Sequence, residues 1–134
     1  KIIASQLADQ IDFEGIAWFL DSPLGRELRS HSAAVHRERP FAMLKAASKI
    51  FREYDNADDE MLIHGIIDGY LETADEVLLY DFKTDFVFNG DIEVMRQRYQ
   101  GQLSLYKQAL EQALQKPVTR TVLIWLPQRK IIDL

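Results

Sequence analysis

The amino-acid sequence predicts an α/β domain built on a mixed β-sheet that is flanked by helices. Two segments, at residues 61–71 and 76–83, are apolar or aromatic in character and bounded by turn signals, as strands are. A long helix is predicted at 91–115, and a strongly apolar strand follows at 118–126. The length suits a single domain over residues 1–134 with one hydrophobic core. The order α, β, β, β, α, β therefore predicts a mixed sheet with helices packed on it.

The first third of the chain is predicted to contain two helices and a strand. Residues 2–30 have apolar side chains at helical spacing, with a break in the middle. At this break Ser22 can cap a second, short helix, because Pro23 suits its first position. A strand is predicted over residues 35–50, and Pro40 implies that it is an edge strand or contains a bulge.

The remaining elements follow from the same patterns. They are a loop at 55–60, a hairpin of strands at 61–71 and 76–83 with its turn at 72–75, the helix at 91–115, and strands at 118–126 and 130–134. Pro117 directly follows the long helix, as expected of a stop signal. The strand after it is β-branched and apolar, which favours burial on both faces.

Composition and charge exclude several classes of protein. With 47% hydrophobic and 28% charged residues, the chain has the profile of a folded domain rather than a disordered segment. No stretch approaches the roughly 20 apolar residues that span a bilayer, so no membrane partner is expected. The absence of cysteine excludes a disulfide framework, a thiolate zinc site and an iron–sulfur cluster, and favours a cytoplasmic protein. Because the net charge is −5, binding of nucleic acid would depend on local basic patches or bound cations.

Asp81 and Lys83 are the first candidates for chemistry. Because side chains alternate along a strand, Leu79, Asp81 and Lys83 share one face, while Phe82 points to the other and into the core. An acid and an amine thus project together from the end of an apolar strand, and the Phe82 carbonyl is available to a metal. A solvated ion pair is the ordinary alternative for an Asp and a Lys at this spacing.

A second acid, Asp68, lies near the end of the preceding strand. By the same alternation, one face of that strand carries Leu62, His64, Ile66, Asp68 and Tyr70. Two adjacent strands could hold Asp68 and Asp81 within reach of one hard cation, which prefers oxygen ligands. A turn residue before Gly69 is the alternative interpretation of Asp68.

Gln102 and Tyr106 lie one turn apart on one face of the long helix. Taken alone, Tyr106 would more often be a core aromatic than a site residue.

Three motifs together carry a family resemblance. They are Gly65-Ile66-Ile67-Asp68, Asp81-Phe82-Lys83-Thr84-Asp85 and Gln102-Leu103-Ser104-Leu105-Tyr106. As G-x-x-D, D-x-K and Q-x-x-x-Y in this order, they resemble the RecB-family branch of the PD-(D/E)XK nucleases. The flanking segments at 35–41 and 99–103 are similar to the AddA (RexA) family of helicase–nuclease subunits, so the resemblance covers nearly the whole chain. It implies a restriction-endonuclease-like fold.

The resemblance also implies roles for the motif residues. Asp68, Asp81 and the backbone carbonyl of Phe82 would ligate Mg²⁺, with Mn²⁺ able to substitute, and Lys83 would position the nucleophilic water. The residues that would line the site and contact DNA or support the ligands are Gln102 and Tyr106.

The function implied is that of a metal-dependent exonuclease domain at the C-terminal end of an ATP-dependent helicase–nuclease subunit. Such an enzyme processes double-strand DNA ends for recombinational repair, and hydrolyses the phosphodiester bond with metal-activated water. DNA and a second subunit of the AddB (RexB) type are the implied partners. Two alternatives stay open: an inactive nuclease-fold module that binds DNA or a partner subunit, and a stand-alone nuclease such as a Holliday-junction resolvase.

One family feature is missing, a metal-ligand histidine on a helix before the first strand in a G-x-x-H context. The chain opens at Lys1 inside a predicted helix, so we expect a fragment whose upstream helix and histidine are absent and which is a weak nuclease when isolated. The histidines present, His31, His36 and His64, do not fit that place. Glu38 is an alternative upstream acid, its ordinary interpretation being an edge-strand salt bridge.

Six basic residues could contact phosphates, although solvated faces are their ordinary interpretation. They are Lys45, Lys49, Arg52, Arg96, Arg98 and Lys107.

Overall fold

A computed structural model describes residues 12–46 and 60–134. The helices are α1 (Phe13–Asp21), α2 (Pro23–Ser30) and α3 (Ile92–Leu114), with single 3₁₀ turns at Ser32–Ala34 and Phe88–Gly90. The strands are β1 (Val35–Ala46), β2 (Glu60–Glu72), β3 (Val77–Lys83), β4 (Val118–Trp125) and β5 (Lys130–Asp133). The predicted α/β class with a mixed sheet flanked by helices is confirmed. The predicted helix over residues 2–11, the end of the first strand beyond 46 and the loop at 55–59 lie outside the described residues.

The five strands form one sheet in the order β1-β2-β3-β4-β5. The pairs β1/β2, β2/β3 and β4/β5 are antiparallel, whereas β3 and β4 are parallel. Parallel neighbours need a crossover connection, and α3 supplies it. β1 is the edge strand that Pro40 predicted, and the hairpin turn between β2 and β3 is closed by a bond from Thr73 N–H to Glu76 O of 2.9 Å.

Helices cover both faces of the sheet, each over its own apolar cluster. The cluster under α3 combines its Met95, Leu103 and Leu110 with Leu79 of β3 and Trp125 of β4. The cluster on the opposite face, under α1 and α2, is formed by Phe19, Leu24, Leu28, Tyr80, Val122 and Ile124, among others. The side chains of β4 from Val122 to Trp125 are all fully buried, which confirms that this strand is covered on both faces.

The α1–α2 corner is built as predicted and supports the end of β3. The Ser22 hydroxyl accepts a hydrogen bond from Gly25 N–H at 3.1 Å, and Pro23 occupies the first helical position. This corner places Phe19 edge-on against Phe82, with ring centroids 5.2 Å apart. Phe82 therefore packs on the α1/α2 face, as the alternation along β3 predicted.

β2 does not keep one face along its length. Leu62 and Ile66 are 63% and 61% exposed, whereas Tyr70 is buried in the cluster under α3. Ile67 belongs to that same cluster although it lies three positions before Tyr70, and strict alternation would put the two side chains on opposite faces. The prediction that Leu62, His64, Ile66, Asp68 and Tyr70 share a face is therefore wrong.

A left-handed residue on the neighbouring strand explains this exchange of faces. Glu38 has φ 52°, and it is passed over in the ladder between the pairs Arg37↔Gly69 and Arg39↔Ile67. A left-handed residue rotates the strand locally, as in a bulge, and a non-glycine residue adopts this conformation at a cost. The rotation lies opposite Asp68. Before this point the odd-numbered Ile67 faces α3, and after it the even-numbered Tyr70 does.

Candidate active site

Asp68 lies where β2 and β3 stop pairing. The antiparallel ladder between these strands runs from Glu72↔Val77 to Gly69↔Tyr80 and goes no further. In place of the next backbone partner, the Asp68 carboxylate accepts a hydrogen bond from Phe82 N–H at 2.9 Å. The gap between the two strands is therefore occupied by a carboxylate rather than by backbone.

Asp81 is the buried acid of the site, with 3% of its surface exposed. The Lys83 ammonium lies 2.7 Å from its Oδ2, but outside hydrogen-bonding geometry, so this buried oxygen has no hydrogen-bond partner among the described residues. The pKa of Asp81 is raised to about 6, chiefly by burial; the Asp68 carboxylate contributes to the rise and Lys83 opposes it. Two acids and one amine thus share a small, poorly solvated volume.

Lys83 is fixed from three sides. Besides the contact with Asp81, its ammonium donates a hydrogen bond to Gln102 Oε1 at 3.1 Å and lies 4.0 Å from the centre of the Tyr99 ring. Only 16% of the side chain is exposed. A lysine that is held in this way has one orientation, whereas a solvated surface lysine samples many.

Tyr106 closes the site from the α3 side. Its ring meets Phe41 of β1 edge-on, with centroids 5.2 Å apart. Burial raises the pKa of the Tyr106 hydroxyl, and the charges of Asp81 and Asp68 raise it further. The hydroxyl is therefore in the electrostatic field of both carboxylates and stays protonated at neutral pH.

The Phe82 carbonyl points into the same gap. Successive carbonyls of a strand point in opposite directions, and that of Lys83 accepts from Leu126 N–H at 3.1 Å on the β4 side. The carbonyl before it consequently points toward β2, where the backbone ladder has already ended. Phe82 thus adds a third oxygen beside the carboxylates of Asp68 and Asp81.

These oxygens fit a hard divalent cation. Two carboxylates and a carbonyl are the donor types that Mg²⁺ and Mn²⁺ prefer. The buried Oδ2 of Asp81 has no hydrogen-bond partner among the described residues, and a cation would provide it with one. Within residues 12–46 and 60–134, no three His, Asp or Glu side chains converge closely enough to hold a metal ion. Glu38 lines an open cleft of about 800 Å³ together with Asp68 and Phe82, but it does not join the two aspartates as a third carboxylate.

Bacterial relatives align with the chain along its whole length. Three of them are named as the A subunit of an ATP-dependent helicase/nuclease: those of Enterococcus faecalis and Pediococcus pentosaceus, each 41% identical over 138 positions, and that of Lacticaseibacillus casei, 41% identical over 135. This chain is homologous to a part of the helicase/nuclease A subunit. The alignments cover 100% of the chain and 11% of each relative, and no family model matches. The resemblance to the AddA family that the motifs predicted is confirmed.

The other residues singled out in the sequence lie apart from the gap between β2 and β3. His64 is exposed, His36 stacks on Tyr70 at 4.8 Å, and His31 ends α2. Of the predicted phosphate contacts, Lys45 donates to Gln108 at 2.9 Å, Arg96 pairs with Glu93, Arg98 pairs with Asp85 at 2.7 Å and Lys107 is exposed. Lys49 and Arg52 lie outside the described residues. No described helix is long and apolar enough to cross a membrane.

Two contributors to the site were missed by the sequence analysis, Asp85 and Tyr99. The Tyr99 hydroxyl donates to Asp85 Oδ2 at 2.6 Å, and Trp125 Nε1 donates to the Asp85 backbone carbonyl at 2.9 Å. These bonds fix the ring that faces Lys83. The sequence held the signal, because Tyr99 lies three residues before Gln102 and hence on the same side of the helix.

The raised pKa of Asp81 predicts how stability depends on pH in the absence of divalent cations. Because the folded state binds this proton more tightly than the unfolded state, the free energy of unfolding should fall as pH rises from about 4 through the folded pKa of about 6. The shift of about two units corresponds to a loss of about 3 kcal/mol. Denaturant titrations from pH 4 to 7 measure it, and Asp81→Asn should remove most of the dependence. An unchanged dependence in that variant would assign it to other groups.

Proposed function

We propose that this chain is the DNA-cleaving domain of an ATP-dependent helicase–nuclease, and that it forms the C-terminal part of a cytoplasmic subunit of the AddA type. Its substrate would be the phosphodiester backbone of DNA ends that the helicase unwinds for recombinational repair, and a second subunit of the AddB type would complete the enzyme. The observation that carries the proposal is the convergence of Asp68, Asp81 and Lys83 where β2 and β3 separate. The relatives' name supports a nuclease within a helicase–nuclease.

The two aspartates and the Phe82 carbonyl would hold a divalent cation, Mg²⁺ in the cell. Such an ion supplies Lewis acidity, lowers the pKa of water and offsets the charge that develops on the phosphoryl group. The chain's own contribution is to keep Asp68 in place through the Phe82 N–H and to keep water from most of Asp81. Because both ligands lie at the ends of paired strands, their separation is fixed by the sheet.

Lys83 would orient the attacking water and stabilise negative charge on the phosphoryl oxygens. An ammonium is suited to this because it has three donors and carries a compact charge. One side of the ammonium contacts Asp81, a second contacts Gln102 and a third faces the Tyr99 ring. These contacts restrict the movement of the ammonium, so its orientation toward the gap is set before substrate binds. Such preorganisation is a large part of electrostatic catalysis.

Tyr106 would serve as a neutral donor at the rim of the site. Its raised pKa keeps the hydroxyl protonated in the range where the enzyme works, so the group can donate a hydrogen bond to a phosphate oxygen. Its contact with Phe41 ties this hydroxyl to the edge strand.

The test combines metal binding with cleavage. Calorimetric titration of the chain with Mn²⁺ should detect binding that Asp81→Asn weakens at least about tenfold, because a ligand oxygen loses its charge. In the full-length protein with its partner, degradation of linear DNA should require Mg²⁺ or Mn²⁺ and stop with chelator. Cleavage that persists without divalent cations, or Mn²⁺ binding that is unaffected in the variant, would contradict the proposal. DNA binding without cleavage would instead indicate an inactive nuclease fold.

A further inference from the structure

Many cations of the chain are already neutralised. Within the described residues, carboxylates pair with Lys83, Arg96, Arg98, Lys116, Arg120 and Arg129. A chain of net charge −5 that acts on DNA must hold phosphates with cations that remain available. The described cations that form no such pair remain available for contact with the DNA backbone; they are Arg26, Arg29, Arg37, Arg39, Lys45, Lys107 and Lys130.

Arg37 and Arg39 of the edge strand are available cations beside the site. Both are exposed, and neither forms a salt bridge with a carboxylate in the described parts of the chain. The Arg39 guanidinium lies 3.5 Å from Nδ1 of the His36 ring. Both arginines line the open cleft of about 800 Å³ that also contains Asp68.

The backbone of β1 is irregular between the two arginines. The left-handed Glu38 between the two arginines interrupts the ladder opposite Asp68, at the point where β2 changes faces. Both guanidiniums nevertheless line one cleft. The same cleft carries two acids, Glu38 and Asp68, which would repel a phosphate. Among the described residues that line it, the two arginines are the only cations, and they offset this repulsion.

We propose that Arg37 and Arg39 bind backbone phosphates that neighbour the cleaved phosphate in the same DNA strand. They would so hold that strand along β1. The inference rests on the proposed nuclease function and adds to it the path of the substrate. Guanidinium groups suit this role, because their planar fork can donate two hydrogen bonds to one phosphate. Contacts of this kind position the strand without reading its sequence, as cleavage along a whole DNA strand requires.

The test uses the full-length protein with its partner and a single-stranded oligonucleotide, with ATP omitted. In the double variant Arg37→Gln/Arg39→Gln, kcat/KM should fall about tenfold or more, mainly through KM, because ground-state and transition-state binding are lost together. The slope of log(kcat/KM) against log[KCl] should become shallower by about 1.4, since each lost phosphate contact to single-stranded DNA accounts for about 0.7. Arg37→Lys/Arg39→Lys should recover much of the slope, because it retains the charges.

The matched control is Arg26→Gln, which removes an exposed arginine on α2 that does not line the cleft. It should leave both quantities unchanged. If the double variant keeps the wild-type kcat/KM and salt slope, the inference is overturned. If such a variant instead associates more weakly with the partner protein, this surface is a protein interface. Asp68→Ala measured in parallel separates the two proposals. Wild-type cleavage in that variant would refute the active site itself, whereas its loss alongside an unaffected arginine variant would refute only the DNA path.

Discussion

Replacing Asp68 or Lys83 by alanine is expected to lower DNA cleavage by at least about 10²–10³-fold, the cost of removing one preorganised electrostatic group from an active site. Asp68 would lose a cation ligand, and Lys83 the charge that orients water. Each should leave unwinding by the helicase unchanged. Degradation of linear DNA, measured beside strand separation in the full-length enzyme, checks both.

The effect on folding separates catalysis from structure in these variants. Asp68 accepts one hydrogen bond, from Phe82 N–H, so Asp68→Ala should cost only about 1 kcal/mol of stability. Lys83→Ala leaves Asp81 without its counter-ion, and Asp81 can respond by binding a proton because its pKa is already raised to about 6. The matched control is Asp75→Ala, on the exposed turn between β2 and β3. Near wild-type cleavage by either site variant would place the active site elsewhere.

The parts of the site that lie on regular elements were predictable from the sequence. β3 pairs in continuous register with β4 from Leu78 to Lys83, so alternation placed Asp81 and Lys83 on one face and Phe82 on the other, and the structure has them so. α3 is one uninterrupted helix, and its period of 3.6 brings Gln102 to Lys83 and Tyr106 to the two acids. The position of α3 relative to β3 then followed from the order of the elements along the chain.

Alternation failed where the backbone leaves the regular strand conformation. The sequence does not show that Glu38 is left-handed, because no glycine or asparagine marks the position. The exchange of faces that accompanies it makes the period of two unusable across residues 67 and 68 of β2. Asp68 still lies beside Asp81, as its position near the end of the strand predicted, although the alternation used to place its side chain does not hold. The arginines flanking Glu38 were passed over for the same reason.

Gly69→Ala is expected to cause the largest loss of stability of any single-methyl change next to the site. A Cβ at this position would lie 2.1 Å from both Cζ and the hydroxyl oxygen of Tyr80, whose ring is 2% exposed and surrounded by the cluster under α1 and α2. The ring cannot yield, so β2 must move away from β3. Overpacking of this kind costs about 3 kcal/mol, and denaturant titration measures it.

The physical cause is a side-chain clash, and two further variants isolate it. Gly101→Ala, with nothing within 4 Å of the added methyl on α3, should stabilise the protein by about 1 kcal/mol. Tyr80→Leu removes the clashing atoms, so Gly69→Ala should cost little more in that background, a departure from additivity that identifies the contact. An additive double variant would mean that the glycine is needed for its backbone alone. Because Gly69↔Tyr80 is the last pair before the strands separate, the displaced β2 would also carry Asp68 away from Asp81. Cleavage should therefore fall in Gly69→Ala and return in part with Tyr80→Leu.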